Sequence, residues 1–130
     1  MIDGFTSAGK LNQRTQQIEI RDCAEWPDVV YVLIGSNDKV LYVGETGRKL
    51  KSRIVEYNNW FAERGSWGPW QAQQRERFRT VFRKCRSVML LAKRADSVIG
   101  RISGKPISLR HVEEQDLITA FGPQLNVKGK

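Results

Sequence analysis

Two short apolar runs, separated by a turn, lie in the first third of the chain. Residues 29–34 read Val-Val-Tyr-Val-Leu-Ile and residues 40–43 read Val-Leu-Tyr-Val, with Gly-Ser-Asn-Asp between them at 35–38. β-Branched and aromatic residues favour strands, and the four residues between the runs are typical of a turn. This pattern predicts an antiparallel β-hairpin.

Helical spacing replaces this pattern after Gly47. Apolar residues recur at intervals of three and four over about 48–63, which predicts an amphipathic helix. A second helix is predicted over 72–85, and a third over 108–121, with Ser108 as its N-cap and a Gly-Pro pair at its end. The apolar positions of the first helix are Leu50, Ile54, Tyr57 and Phe61.

The remaining segments complete a small α+β domain. Residues 87–92 form an apolar stretch bounded by charged residues, which predicts a buried third strand, and 96–106 is interpreted as a loop. The predicted order is β-β-α-(α)-β-α, with a three-stranded antiparallel sheet flanked by helices. The predicted divisions are an N-terminal lead-in at 1–28 with a short strand at 17–21, a domain at 29–126 and a C-terminal tail at 127–130.

Composition agrees with one small domain. The chain has 130 residues, of which 40% are hydrophobic and 28% charged, enough for one core. It contains no apolar run of about 18 residues and no signal-like start, so we expect a cytoplasmic protein without a membrane segment. Cys23, Cys85 and His111 are too few for a Cys/His zinc site or a disulfide framework.

The net charge of +8 is concentrated in one stretch. Between Arg75 and Lys105 there are ten basic and two acidic residues, which account for the whole excess. A polyanion is the partner that such a patch favours, and a solvated basic face is the alternative. Four arginines spaced about one turn apart form a stripe on the predicted second helix. They are Arg75, Arg79, Arg83 and Arg86.

Two tyrosine triplets, a helix arginine and a late acidic motif follow one another along the chain. The late motif is Glu-x-x-Leu-Ile, which leads to Pro-x-Leu-Asn at 123–126. This ordered set, which spans 29–126, resembles the GIY-YIG nuclease family. The matching positions are the triplets at 29–31 and 42–44, with Tyr31 and Tyr42, then Arg53, Tyr57, Glu114 and Asn126.

The chain departs from the family pattern at two positions. Val29 stands where the first triplet has glycine, and Glu45 stands where many members have lysine. Three basic residues after the second triplet can replace the missing charge, so we count them with the arginine stripe as predicted DNA-binding residues. They are Arg48, Lys49 and Lys51.

The resemblance implies a metal-dependent DNA endonuclease that leaves 5′-phosphate and 3′-hydroxyl ends. It implies Tyr31 as the base or as the group that orients the water, Arg53 as the ligand of the scissile phosphate, and Glu114 as the ligand of one Mg²⁺ or Mn²⁺ ion. The other implied positions are Tyr42 and Tyr57, for water and phosphate, and Asn126, for the end of the last helix.

Some assignments stay open at this stage. Tyr31 and Tyr42 also fit as cross-strand packing partners, and a tyrosine base needs a pKa lowered from about 10 by a nearby cation. Glu113 and Asp116 compete with Glu114 for the metal, although the family spacing favours Glu114.

Three further residues have two interpretations each, whereas Trp60 has one. His111, one turn before Glu114, is either a proton acceptor near the site or a partner of a backbone group. Trp60 is expected in the core. Trp67 and Trp70 either pack in their loop or stack on unpaired bases.

Two other functions compete with the nuclease. One is a nucleic-acid-binding module of the same fold without catalysis, which only Glu45 favours. The other is an interaction protein whose basic patch meets an acidic partner. DNA specificity is expected from 62–105, which includes a family-variable insertion at 62–86 with the basic helix, and the question of a homodimer stays open.

Overall fold

The computed structural model describes residues 2–63 and 68–126. Trp67 and the predicted tail at 127–130 lie outside these ranges. The strands are β1 (Thr6–Asn12), β2 (Gln17–Ile20), β3 (Val29–Gly35), β4 (Val40–Thr46), β5 (Val88–Arg94), β6 (Ser97–Ile99) and β7 (Pro106–Ser108). The α-helices are α1 (Leu50–Phe61), α2 (Pro69–Lys84) and α3 (Arg110–Phe121).

The predicted hairpin is confirmed at the centre of the fold. Strands β3 and β4 pair antiparallel, with Tyr31 opposite Gly44, and β5 pairs antiparallel with the other edge of β3. Every residue of β3 is therefore enclosed between two neighbouring strands and two packed faces. This double burial explains why β3 is a continuous apolar run rather than an alternating one.

The main sheet has five strands rather than three, in the order β2-β1-β5-β3-β4. The segment predicted as a lead-in supplies two of them, because β1 pairs with both β2 and β5. Only Ala8, Gly9 and Leu11 of β1 are buried, so the strand carries too few large apolar residues to show a strand pattern.

The three helices cover the two faces of this sheet. Helices α1 and α2 pack their apolar residues on the face that carries Tyr31 and Leu33. Helix α3 covers the opposite face, where Leu117 and Ile118 pack on side chains that include Val43. The predicted helices are thus confirmed, with α2 beginning at Pro69 rather than at 72. Among the residues described, no helix is long and apolar enough to cross a membrane.

The segment 96–106, expected to be a loop, contributes to a second, two-stranded sheet. Strands β6 and β7 pair antiparallel, and Leu109 N donates to Asp96 O at the base of this hairpin. Its apolar side chains face solvent, and Ile102 at the tip is fully exposed. Three-residue strands with two solvated faces have no alternation to detect, which is why the sequence pattern missed them. The expected N-cap was wrong by one residue: Leu109 is the N-cap of α3, and Ser108 ends β7, although its Oγ accepts the N–H of Arg110.

The substitution Gly9→Ala tests how much the N-terminal strands contribute to the stability of the domain. A Cβ atom at this position would lie 2.1 Å from the backbone oxygen of Glu19, so Gly9→Ala must displace β1 from β2. We expect a loss of about 1–3 kcal/mol in the free energy of unfolding, measured by urea denaturation. Gly68→Ala is the control, since a Cβ there meets open space. An unchanged midpoint for Gly9→Ala would show that β1 is dispensable.

Candidate active site

The tyrosine triplets meet through a direct contact between β3 and β4. The phenol of Tyr31 lies against the backbone of Gly44, so close that a Cβ on residue 44 would be 2.4 Å from the Tyr31 hydroxyl oxygen. Glycine is therefore required at the end of the second triplet by the tyrosine at the end of the first. This steric fit, rather than a flexible backbone, explains why the two motifs occur together.

A chain of hydrogen bonds joins the three tyrosines to Arg53. The Nε of Arg53 donates to the Tyr31 hydroxyl over 3.1 Å. The Tyr31 hydroxyl also lies 3.1 Å from the Tyr57 hydroxyl, within hydrogen-bond distance. Tyr57 in turn donates to the hydroxyl of Tyr42 over 2.8 Å. Because the single proton of Tyr57 is donated to Tyr42, the proton between Tyr31 and Tyr57 comes from Tyr31, and the proton of Tyr42 is left at the outer end. The predicted residues Tyr31, Tyr42, Arg53 and Tyr57 are thus brought together.

Burial decides which of these hydroxyls can reach a substrate. Tyr31 is 0% exposed, and its burial raises its pKa although Arg53 is adjacent. Burial likewise raises the pKa of Tyr57. Since a base needs a lowered pKa and access to water, this geometry does not support the prediction that Tyr31 is the base. It gives Tyr31 a positioning role, and it places the partly exposed Tyr42 at the outer end of the network.

Two of the three guanidinium nitrogens of Arg53 donate hydrogen bonds to neighbouring side chains. Its Nη1 donates to Glu56 and its Nε to Tyr31, while its guanidinium lies over the ring of Tyr57 at 5.2 Å. In the part of the chain that the structure describes, Nη2 has no recorded partner. The guanidinium is therefore held in place with one edge free, as a phosphate ligand requires.

Glu114 lies in a cluster of three candidate metal ligands at the other face of β4. Ligand atoms of Glu45, His111 and Glu114 all lie within 4.8 Å of one another. The imidazole Nδ1 is 3.7 Å from Glu114 Oε1 and 4.0 Å from Glu45 Oε2. Two carboxylates and an imidazole at these separations could hold one divalent cation, so Glu45 becomes a second candidate acidic ligand beside Glu114.

The environment of Glu114 disfavours its charge when no cation is bound. Burial raises the pKa of Glu114, and the neighbouring Glu45 carboxylate raises it further, while His111 and Arg53 act in the opposite direction. Arg53 is thus near enough to act on Glu114, so the tyrosine network and the carboxylate cluster are neighbours. A cation between the two carboxylates would relieve their repulsion.

Glu45 is held in place by a network around Arg110. Its Oε1 accepts from Arg110 Nε over 3.2 Å, while Arg110 Nη1 donates to Asp28, which also accepts from Ser108. The other carboxylate oxygen, Oε2, faces His111. The sequence analysis treated Glu45 only as a departure from a family lysine and missed this role. Strand alternation could have found it, since it places 43 and 45 on one face, the face that α3 covers.

The competing carboxylates have other surroundings. Glu113 accepts from Lys93 Nζ and from the backbone N–H of Asp96, so it ties α3 to the end of β5. Asp116 is exposed. Of the three acidic residues considered for the metal, the structure brings only Glu114 into the candidate ligand cluster.

Asn126 completes the edge of β4. Its Nδ2 donates to Val43 O over 2.7 Å and its Oδ1 accepts from Val43 N over 2.8 Å. The side-chain amide thus pairs with β4 as a neighbouring strand would, two residues from the partly buried Glu45. The expectation that Asn126 orders the end of the last helix against the site, rather than touching the substrate, stays a prediction.

Comparisons with known proteins agree with this architecture at the level of the fold. No protein-family model matches the chain, and no curated protein matches it significantly. A mutant of bacteriophage T4 EndoII superposes with a TM-score of 0.67 at 18% identity, over 95% of this chain and 92% of that one. The restriction endonuclease HPY188I in complex with product DNA superposes with a TM-score of 0.53 at 14% identity, over 92% and 77%.

The chain has the fold of these two nucleases. The predicted α+β class with an antiparallel sheet is therefore confirmed, with five strands in place of three. The GIY-YIG resemblance stays a prediction from the motifs, and the site residues stay proposals from geometry.

The four arginines of the predicted stripe differ in their exposure to solvent: two are buried or partly buried, and two are exposed. Arg75 is 7% exposed and donates to Trp60 O, and Arg79 donates to Phe61 O. Both also pair with Glu63. These two arginines donate to carbonyls at the C-terminal end of α1, where cations are favourable. They are therefore not free to bind phosphates, contrary to the prediction. Arg83 and Arg86 are exposed and stay predicted DNA contacts.

The three basic residues after the second triplet are also engaged. Arg48 pairs with Glu56, while Lys49 and Lys51 both pair with Glu25. These ion pairs are at the surface, where DNA phosphates can compete for the cations. Arg101 and Lys105 on the β6–β7 hairpin have no ion pair within the described ranges. Both belong to the basic stretch that ends at Lys105, but they were not among the predicted DNA-binding residues, because their segment was interpreted as a loop.

Glu114→Gln separates the effects of Glu114 on stability and on metal binding. A raised pKa means that the ionised carboxylate is less favourable in the folded chain, so the variant should melt at a higher temperature than wild type at pH 7 without divalent metal. This advantage should shrink as the pH falls through the raised pKa. Added Mn²⁺ should raise the Tm of the wild type but not of the variant.

The matched control is Glu113→Gln, which removes the contact with Lys93 and should lower the Tm by a few degrees. Differential scanning calorimetry with and without Mn²⁺ measures all of these effects. A Mn²⁺-dependent rise that persists in Glu114→Gln would contradict the ligand assignment.

Proposed function

We propose that this protein is a metal-dependent DNA endonuclease that hydrolyses phosphodiester bonds to 5′-phosphate and 3′-hydroxyl ends. One observation carries the proposal. A hydrogen-bonded network of Arg53 and three tyrosines and a Glu-His-Glu cluster lie close together around one edge strand, β4. A shared fold with two nucleases, one of them in complex with product DNA, supports it.

The carboxylate cluster would hold the divalent cation. Glu45, His111 and Glu114 supply two oxygens and one nitrogen, a donor set that suits Mn²⁺ better than Mg²⁺ because Mg²⁺ favours oxygen ligands. When bound, such an ion stabilises negative charge on the phosphoryl oxygens. Arg110 keeps Glu45 in position through its bond to Oε1 and leaves Oε2 for the cation.

Arg53 would bind the scissile phosphate through its open edge. Tyr31 and Glu56 fix the other edge, so the guanidinium needs no reorganisation when charge develops on the phosphate. Tyr31 acts through Arg53 and is a positioning residue. Tyr42, at the outer end of the hydrogen-bonded chain, would donate its hydroxyl proton to a phosphate oxygen or orient the attacking water.

The β6–β7 hairpin would contact the DNA backbone. Arg101 and Lys105 are exposed on a hairpin that leads directly into α3, the helix that carries Glu114. No acidic residue occurs from 97 to 112, so this element presents only positive charge to its surroundings. DNA phosphates are the polyanion that such an element fits next to a nuclease site.

Cleavage of supercoiled plasmid in Mn²⁺ tests the proposed roles. Glu114→Gln and Arg53→Gln should each lower the rate by about a hundredfold or more, because each removes a group that stabilises charge in the transition state. Asp116→Asn, a carboxylate change on the same helix but outside the cluster, should leave the rate unchanged. Sequencing the ends checks the predicted products. If Asp116→Asn were inactive and Glu114→Gln active, the assignment of the cluster would be wrong.

The salt dependence of DNA binding tests the hairpin. On an inactive Glu114→Gln background, replacing both Arg101 and Lys105 by Gln should flatten the plot of log affinity against log salt by about two units, since each phosphate contact contributes about one. Arg14→Gln, at an exposed turn between β1 and β2 on the far edge of the sheet, is the matched control and should change nothing. An unchanged slope in the double variant would rule out the hairpin as a backbone contact.

A further inference from the structure

A cleft of about 630 Å³ opens beside the phosphate-binding arginine. Tyr42, Arg53 and Tyr57 form the wall on the side of the candidate active site. Its volume lies within the range of about 300–1,000 Å³ that is usual for small-ligand pockets. The roles proposed above use the three residues of that wall and leave the rest of the cleft without a function.

The inner part of the cleft is aromatic. The rings of Trp60 and Phe78 meet edge to face, with centroids 5.2 Å apart, and Phe78 also packs on Tyr42 at 5.3 Å. Trp70, near the start of α2, lines the same cleft and is 44% exposed. A large, half-exposed indole next to a firmly packed aromatic wall is the arrangement on which a planar ring can stack.

The polar part of the lining consists mainly of neutral amides. Gln71 and Gln74 lie on α2 next to Trp70, and Asn59 lies on α1. Amide side chains both donate and accept hydrogen bonds, as the edge of a nucleobase does. Among the described residues, the only charged ones that line the cleft are Arg53 and Glu56, which bond to each other, so the amide end fits an uncharged heterocycle better than a second phosphate.

These observations identify one class of occupant. We infer that the cleft binds a single unstacked nucleobase of the DNA strand being cut, from the nucleotide next to the scissile phosphate. The inference rests on the proposed function, since Arg53 must hold that phosphate at the border of the cleft. Trp70 stacks on the base, and Gln71 and Gln74 contact its edge.

This binding mode has a consequence for substrate choice. Taking a base out of a duplex costs a few kcal/mol, and the cost is least where the base is unpaired. The protein therefore favours DNA with unpaired or mismatched bases beside the cut over fully paired DNA. The amides impose a further preference among the four bases.

The test uses oligonucleotide duplexes in which one nucleotide beside a mapped cut site either carries its base or is abasic. The opposite strand is abasic at the facing position, so the tested base is unpaired in every substrate. Binding is measured without divalent metal for the wild type, Trp70→Ala and Trp70→Phe. Val55→Ala, at an exposed apolar residue of α1 outside the cleft, is the matched control.

We expect removal of the base to weaken wild-type binding by about fivefold or more, as the loss of one stacked base does. Trp70→Ala should weaken binding of the intact substrate by a similar factor, and removal of the base should then have no further effect. Trp70→Phe should retain most of the wild-type difference, and Val55→Ala should retain all of it.

An equal effect of base removal in the wild type and Trp70→Ala would overturn the inference, because it would show that Trp70 does not contact the base. The proposed function would survive that result if the wild type still cleaves the duplex in Mn²⁺. A wild type that neither binds nor cleaves any of these substrates would overturn both.

Discussion

The contact between the Tyr31 ring and the backbone of Gly44 is the constraint on which the site depends. It fixes the pairing of β3 and β4, since the two residues must lie opposite each other. A slip of one residue would turn Tyr31 to the face covered by α3 and separate it from Arg53. The same contact buries the phenol, and this burial raises its pKa, which favours the proposal that Tyr31 supports the arginine rather than acting as a base. One steric fit thus determines how β3 pairs with β4 and how far the Tyr31 hydroxyl is buried.

The position of β4 at the edge of the sheet explains how two sets of groups meet there. A central strand has neighbours on both sides, whereas β4 is paired with β3 on one side and with the amide of Asn126 on the other. Tyr42 belongs to the aromatic face, and Glu45, three residues later, belongs to the face covered by α3. Groups from opposite faces of the sheet can therefore act on one substrate only around this edge.

The sequence predicted those parts of the fold and site that depend on local order along the chain. The apolar runs predicted β3, β4 and β5. The apolar spacing after Gly47 predicted α1, the helix that carries Arg53 and Tyr57. What it missed depends on tertiary neighbours. Strand β1 is stabilised by its pairing with β5, far along the chain, and Glu45 became a candidate ligand only when α3 packed on β4. No local pattern predicts the pairing of β1 with β5, and strand alternation gives only the face of β4 on which Glu45 lies.

The arginine stripe shows why charge alone did not locate the proposed DNA-binding surface. Arg75 and Arg79 satisfy backbone carbonyls at the end of α1 and pair with Glu63, and by doing so they join α1 to α2. Both helices line the cleft, with Arg53 on α1 and Trp70 on α2. Part of the basic excess thus builds the site, and only the remainder is free to attract a polyanion. Helical spacing identifies a face of α2, but the partner of that face decides whether its charges serve folding or binding.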